Sequence, residues 1–155
     1  MKQPYYRIPV FNAGFYLFTG PSQRVKDFLE PRLLPCSYES VCRDLDECGG
    51  YSLAYTVKDG VENLLWVPDM EDSIVLFHEA LHCGFNILKR VGVPADGNNQ
   101  EAIAYLQGEI VRGARKVAAK YRYKDKAPGE EPAAGVAQGS GKVCSSHRIS
   151  QEATA

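Results

Sequence analysis

Residues 51–67 read Tyr-Ser-Leu-Ala-Tyr-Thr-Val-Lys-Asp-Gly-Val-Glu-Asn-Leu-Leu-Trp-Val, and the fold is best predicted outward from this stretch. Its first half alternates large apolar residues with small or polar ones, which is the period of a half-buried β-strand. Asp59 and Gly60 supply a turn signal before the second apolar run, and Pro68 ends that run. The stretch therefore predicts a β-hairpin. Either of its strands could form the edge of a sheet, where an extended peptide can pair.

The segment after the hairpin predicts a helix over residues 71–90. Asp69 or Asp72 can cap its start, and Gly92 and Pro94 close it. Apolar residues recur at spacings of three and four, which predicts one buried stripe. This stripe consists of Ile74, Phe77, Leu81, Phe85 and Leu88.

A last long helix is predicted over residues 100–123, after a polar loop. Its apolar stripe comprises Ile103, Leu106, Ile110, Ala114, Val117 and Tyr121. On a helical wheel the opposite side carries Glu101, Ala104, Tyr105, Gly108 and Arg112. Because residues 104 and 108 are small, we expect the preceding helix to approach closely there. The first two turns are therefore predicted to be buried on two sides.

The first third of the chain predicts further strands and a short helix. Residues 7–19 are rich in aromatic and β-branched residues and are interrupted near Gly14, which indicates a strand, a bend and a second strand. Ser22 can cap a short helix that ends near Glu30. Residues 32–50 are predicted to form a loop. Together these elements predict an α+β fold with a small antiparallel sheet or hairpin packed on the helices.

Composition changes at Lys124. Residues 124–155 contain no Leu, Phe, Tyr, Trp or Met, so they cannot bury enough apolar surface to offset the entropy of ordering. We expect one domain over residues 1–123 and a disordered C-terminal tail over residues 124–155.

Charge and cysteine content narrow the class of protein. The chain has 155 residues and a formal net charge of −1, so it has no bulk attraction for nucleic acid or anionic lipid. Its apolar runs are too short to span a membrane, and its first residues show no secretory signal. The five cysteines are odd in number and form no C-x-x-C pair. We expect reduced thiols in a cytoplasmic protein, without a membrane or nucleic-acid partner.

Residues 78–82 read His-Glu-Ala-Leu-His and form the candidate catalytic motif of the chain. On a helix His78 and His82 share one face at the separation that two imidazoles need to bind one metal ion, and the Glu79 carboxylate can reach a water beside it. This is the H-E-x-x-H arrangement of zinc hydrolases. The alternative is a helix with solvent-facing polar residues, or histidines satisfied by hydrogen bonds in the core.

A two-histidine site needs a third protein ligand. His147 lies in the predicted tail, and Cys83 points about 100° around the helix from His82. Glu101 follows His82 after 18 residues, at the start of the last helix. We favour Glu101 as the ligand; the alternative is a first-turn acid stabilised by the helix dipole.

These residues resemble a known family. His78-Glu79-x-x-His82 followed by Glu101 resembles the gluzincin pattern, in which two histidines and a downstream glutamate bind catalytic zinc. The order of hairpin, H-E-x-x-H helix, loop and glutamate-bearing helix is also similar to short metallopeptidase-like proteins encoded by phages and, more loosely, to ImmA/IrrE-type proteases, which cut transcriptional repressors. The match covers about 25 residues directly, and some 70 with the hairpin.

The resemblance implies a minimal zincin-like domain and a zinc-dependent peptidase with one Zn²⁺ ion. His78, His82 and Glu101 would hold the ion, and Glu79 would activate water for attack on a peptide or protein substrate. Many gluzincins carry an acidic residue where this chain has Tyr105. Tyr105 is our candidate for stabilising the oxyanion; packing between helices, or a hydrogen bond to a ligand, is the alternative. A phage origin would place the protein in the host cytoplasm.

Two other functions stay open. The scaffold could serve a binding or regulatory protein in which metal is structural or absent, or an ImmA/IrrE-like protease with one specific repressor as its substrate.

The last helix also has a basic end, which is formed by Arg112, Arg115, Lys116, Lys120 and Arg122. Cations are favourable near a helix C-terminus, and this accounts for them. The alternative is a docking surface for an acidic partner or nucleic acid.

Overall fold

The computed structural model describes residues 4–125, with side chains described up to Tyr121. Four strands, four α-helices and two short 3-10 helices follow one another in these residues. In chain order they are β1 (Tyr5–Ile8), a 3-10 helix (Pro9–Phe11), β2 (Ala13–Phe18), α1 (Gln23–Leu29), α2 (Pro35–Glu47), β3 (Tyr51–Val57), β4 (Gly60–Trp66), α3 (Ser73–Arg90), a second 3-10 helix (Gly97–Asn99) and α4 (Gln100–Asp125).

The four strands form one mixed sheet in the order β1-β2-β4-β3. The pairs β1/β2 and β3/β4 are antiparallel, which confirms the predicted strand-bend-strand and the predicted hairpin. The central pair β2/β4 is parallel, with Phe15 opposite Asn63 and Phe18 opposite Trp66. The α+β class is confirmed, but the sheet is not purely antiparallel, because the hairpin places β4 rather than β3 beside β2, and β4 runs in the same direction as β2.

The helical segment between β2 and β3 corrects the sequence prediction for residues 32–50. They are not a loop: α2 spans Pro35–Glu47, with Pro35 in its first turn and Leu34 in extended backbone before it. Pro at the start of a helix is favourable because its missing N–H has no partner there anyway. Val41 and Leu45, four residues apart, are the buried positions of α2, and Tyr38, three residues before Val41, packs partly buried against the same core.

Helices cover both faces of the sheet. On one face α1 and α2 pack on β-strand residues in a core made of Phe18, Val25, Phe28, Leu29, Val41, Leu45, Tyr51, Leu53, Tyr55, Leu64 and Trp66. On the other face α3 and α4 form a second core with residues such as Phe15, Leu17 and Leu65. The sheet therefore separates two hydrophobic cores, and β3 lies at its edge beside α3.

Helix α3 begins where the sequence predicted, but a different face is buried. The Asp72 carboxylate accepts hydrogen bonds from the backbone N–H groups of Ile74 (3.0 Å) and Val75 (3.1 Å), so Asp72 rather than Asp69 is the cap. Ile74 is 74% exposed and Phe77 46% exposed, so the predicted stripe is wrong at its first half. The face that packs on the sheet and α4 consists of Val75, Leu76, Glu79, Ala80, Cys83, Gly84, Ile87 and Leu88.

In α4 the predicted apolar stripe is confirmed at Leu106, Ile110, Ala114 and Val117, which are buried. The predicted burial of the opposite side is wrong, because residues 101, 104, 105, 108 and 112 are all exposed. The small residue that allows close approach is Gly84 of α3. A Cβ atom there would lie 3.8 Å from Ile110 Cδ1 and from Leu106 Cγ, whereas one at Gly108 would meet nothing within 4 Å.

The predicted tail and the predicted lack of a membrane span are the remaining structural predictions. The predicted tail boundary falls inside α4, which continues to Asp125, and residues from 126 on, with His147, lie outside the described part. None of the helices in residues 4–125 has the length and apolar character needed to cross a membrane.

Candidate metal centre

Helix α3 brings His78 and His82 together. Their Nε2 atoms lie 2.9 Å apart, and the rings meet edge to face with centroids 4.6 Å apart. Both side chains are half-buried. Two imidazole nitrogens that share a tetrahedral zinc ion at 2.0–2.1 Å lie about 3.3 Å apart. At this distance the two nitrogens are hydrogen-bonded to each other, and they would need to separate by a few tenths of an ångström to share one zinc ion.

The surroundings hold this helix in place. Gln107 Nε2 of α4 donates a hydrogen bond to the Phe77 carbonyl oxygen (2.9 Å), beside the first histidine. At the end of α3, the Arg90 guanidinium donates to the carbonyl oxygens of Val61 (3.2 Å) and Asn12 (3.1 Å). With the Asp72 cap these contacts fix α3 at its start, middle and end. The two imidazoles therefore stand on a rigid element, which favours metal binding.

Glu79 lies between the histidines in sequence but points into the protein. It is 3% exposed, and burial raises the pKa of its carboxyl to about 7. It packs against Gly50, at the residue before β3, where a Cβ atom would lie 2.9 Å from Glu79 Cγ. A carboxyl group with a pKa near neutrality can both accept and release a proton at physiological pH, as general acid–base chemistry requires.

Cys83 is also on the buried face of α3. Burial raises the pKa of its thiol to about 12. Cys83 forms no metal-binding group with the histidine pair within residues 4–125.

Strand β3 runs beside this face of α3. Its side chains alternate, so that Tyr51, Leu53 and Tyr55 enter the core under α1 and α2. The intervening residues 52, 54 and 56 are small or polar and face the α3 side; two are half-buried and one is exposed. Since β3 pairs with β4 alone, the sequence question of which hairpin strand forms the edge is answered: it is β3.

Glu101 is not close to the histidine pair in this structure. It is exposed in the first turn of α4, whereas Leu106 and Ile110 are the α4 residues that contact Gly84 of α3. At about 100° per residue, Glu101 lies about 140° from Leu106 and about 180° from Ile110 around the helix. Within residues 4–125, no three His, Cys, Asp or Glu side chains gather closely enough to hold a metal ion.

Tyr105 lies on another flank of α4. It is 51% exposed and near enough to Tyr6 to contribute to raising the pKa of the Tyr6 phenol, whose main cause is the hydrogen bond that Tyr6 Oη donates to Glu109 Oε1 (2.6 Å). Gln107 contacts α3, and Tyr105, two residues earlier, is about 200° away around the helix. The structure thus places Tyr105 toward β1 rather than toward the histidines.

The residues therefore fit a metal ion in part. The two imidazoles are ligand types that zinc uses and share one helix face, Glu79 is a buried carboxyl next to His78 in the sequence, and Glu101 does not join the histidines in the described arrangement. Gly50 was not singled out by the sequence analysis, although its place just before the first strand of the hairpin was a possible signal of close packing. Comparison with protein-family models, with curated proteins and with solved structures finds no match to this chain.

Proposed function

We propose that this protein hydrolyses peptide bonds, with His78 and His82 binding a zinc ion and Glu79 acting as the general base. The observation that carries the proposal is the 2.9 Å approach of the two Nε2 atoms on the helix that also bears the buried Glu79. Neutral imidazole nitrogens are good ligands for zinc. When bound, zinc polarises a carbonyl oxygen and lowers the pKa of water from 15.7 toward about 7.

Glu79 supplies the proton transfers. Its carboxylate accepts a proton from the attacking water and then gives that proton to the leaving amine nitrogen. The burial that raises its pKa to about 7 keeps the group able to work in both directions. A nearby divalent cation favours the ionised carboxylate, which is the form that accepts the proton.

The edge of β3 offers a place for the substrate. An extended peptide can add as a further strand, because the outer N–H and C=O groups of an edge strand have no partner within the sheet. A peptide there would run beside the helix that carries the two histidines.

Glu101 remains our proposed third ligand, and it requires the first turn of α4 to rearrange. Residues 100–105 contain no fully buried side chain, although Ala102 and Ile103 pack partly buried against the core. Unwinding this turn therefore sacrifices the partial apolar burial of these two residues. The loop from residue 91 to residue 99, which precedes it, contains only a short 3-10 helix.

The test is cleavage of an unfolded protein, such as reduced casein, by the full chain supplied with one equivalent of zinc. We expect Glu79→Gln to bind zinc as the natural chain does and to lose at least about a hundredfold in activity, as removal of a general base does. Glu39→Gln, an exposed position on α2, is the control and should keep full activity. Equal activity of Glu79→Gln and the natural chain would exclude this mechanism.

A binding or regulatory protein on the same scaffold is the second candidate. The observation that favours it is the separation of Glu101 from the histidine pair. In that case the purified chain would hold less than stoichiometric zinc after exposure to the metal, and its biological effect would survive Glu79→Gln. We propose a cytoplasmic location for either function, because five cysteines without a C-x-x-C pair favour reduced thiols.

A further inference from the structure

The outward side of α4 carries a row of cations. Arg112, Arg115, Lys116 and Lys120 are all exposed, and we call these four residues the cationic face. Residues 110–121 contain no acidic residue. Four positive charges therefore lie within nine consecutive residues, in a chain whose formal net charge is −1. This surface is therefore positively charged, although the net charge of the chain is slightly negative.

The helix dipole does not account for these cations. Its favourable effect is confined to about the last turn of a helix. Helix α4 continues to Asp125, so that Arg112, Arg115 and Lys116 lie nine or more residues before its end. The sequence explanation that they stabilise a helix C-terminus therefore fails for three of the four.

Ion pairs neutralise one of these cations at most. Arg112 pairs with Glu109 Oε2 (2.8 Å), while Glu109 Oε1 accepts a hydrogen bond from the Tyr6 hydroxyl. Within residues 4–121, no salt bridge joins Arg115, Lys116 or Lys120 to an acidic side chain. Arg112, Lys116 and Lys120 follow one another at spacings of four, where like charges repel and destabilise the helix. A partner that brings negative charge would relieve this repulsion.

The chemistry of the surface selects among anionic partners. Adsorption to a membrane uses large apolar residues beside the cations; within the row the other exposed residue is Ala119, and the large exposed side chain on this helix face, Tyr105, lies seven residues before Arg112. Protein interfaces have an apolar centre, which this row lacks. Binding to a phosphate backbone needs cations alone, since counterion release supplies the free energy. Charges farther than about 8–10 Å are screened at physiological salt, so the acidic remainder of the chain does not prevent it.

We propose that the cationic face of α4 binds the phosphate backbone of nucleic acid without reading its sequence. This inference goes beyond the proposed hydrolysis and does not depend on it. It also revises the expectation, drawn from net charge, that nucleic acid is not a partner.

The test is fluorescence anisotropy of a labelled 25-base-pair duplex, and separately a 25-nucleotide single strand, titrated with the full chain from 50 to 200 mM salt. Four phosphate contacts predict a slope of log K against log salt of about −3.6 for the duplex. Replacing Arg115, Lys116 and Lys120 by Gln should reduce this slope to about −1 and weaken binding at 50 mM salt at least tenfold. Binding of either nucleic acid with this response supports the proposal.

The matched control is the triple variant Arg24→Gln, Lys58→Gln and Lys89→Gln, which removes the same charge from exposed positions elsewhere. It should bind as the natural chain does. The proposal is overturned if the natural chain does not bind at 50 mM salt, if both triple variants lose binding equally, or if polyglutamate or phosphatidylserine vesicles compete better than nucleic acid at equal charge. The salt dependence of the natural chain is informative even if a variant is unstable.

Discussion

Gly50 lies directly against Glu79, and no larger residue fits between β3 and α3 at this point. A Cβ atom at Gly50 would be 2.9 Å from Glu79 Cγ and 2.5 Å from Val75 Cγ1. Val75 is β-branched and stiff, so the contact can be relieved only by moving the helix or the strand. The position of the buried carboxyl thus depends on a residue without a side chain.

We therefore expect Gly50→Ala to lower the free energy of unfolding by about 1–3 kcal/mol, the usual cost of overpacking a core, and to reduce any activity that depends on Glu79. Urea denaturation measures the first effect. Gly108→Ala is the control, because a Cβ at Gly108 meets open space and alanine is the better helix former by up to about 1 kcal/mol. Unchanged stability of Gly50→Ala would show that this contact is not tight.

The stability of the metal-free protein should fall as pH rises, because of Glu79. Burial raises the pKa of its carboxyl from 4.5 to about 7, so the folded state holds this proton more tightly than the unfolded state does. The contribution is fully present below about pH 4.5 and is lost as pH rises through 7, with a total of up to about 3 kcal/mol.

The measurement is urea unfolding at pH 5 and pH 8 in the presence of a chelator, for the natural chain and for Glu79→Gln. We expect the loss of stability between the two pH values to be smaller in Glu79→Gln, since glutamine carries no charge. Glu39→Gln should behave like the natural chain. If all three proteins lose the same free energy of unfolding between pH 5 and pH 8, ionisation of the Glu79 carboxyl does not destabilise the folded state.

The buried face of α3 can be tested by two substitutions of similar chemistry. Leu76 is fully buried and Ile74 is 74% exposed, although the periodicity of the sequence favoured Ile74 for the core. Leu76→Ala should cost about 2–5 kcal/mol, while Ile74→Ala should change the free energy of unfolding by less than about 0.5 kcal/mol. A larger loss of stability for Ile74→Ala would indicate that Ile74 is buried, as the periodicity of the sequence predicted.

Much of the fold could be predicted because strong local signals and tertiary packing agree. The alternation before Asp59-Gly60 specified the hairpin, and Asp72 and Gly92 bracket α3 as expected. The loop prediction for α2 was wrong although Tyr38, Val41 and Leu45 recur at helical spacing and contact the core, so the apolar pattern was present and was missed. The parallel pairing of β2 with β4 was missed because it depends on which strand of the hairpin lies beside β2, which no local pattern specifies.

The site was predictable where it depends on one helix and not where it depends on two. Residues four apart on a helix are neighbours by geometry alone, so the approach of His78 and His82 follows from the sequence. Which side of α4 faces α3 depends instead on how the two helices pack. Small residues at 104 and 108 predicted that this side of α4 faces α3. In the structure Leu106 and Ile110 contact Gly84 of α3 instead. Glu101 and Tyr105 therefore lie on an exposed side of α4.

Calorimetric titration of the chelator-stripped full chain with zinc measures directly whether His78 and His82 bind the ion. We expect one ion per chain, at least about a hundredfold weaker binding in His78→Ala and in His82→Ala, and unchanged binding in His147→Ala, which removes the remaining histidine. Glu101→Gln should weaken binding if the first turn of α4 rearranges to supply the third ligand. Zinc binding that persists unchanged in the His78→Ala, His82→Ala double variant, or an absence of stoichiometric binding by the natural chain, would contradict the account.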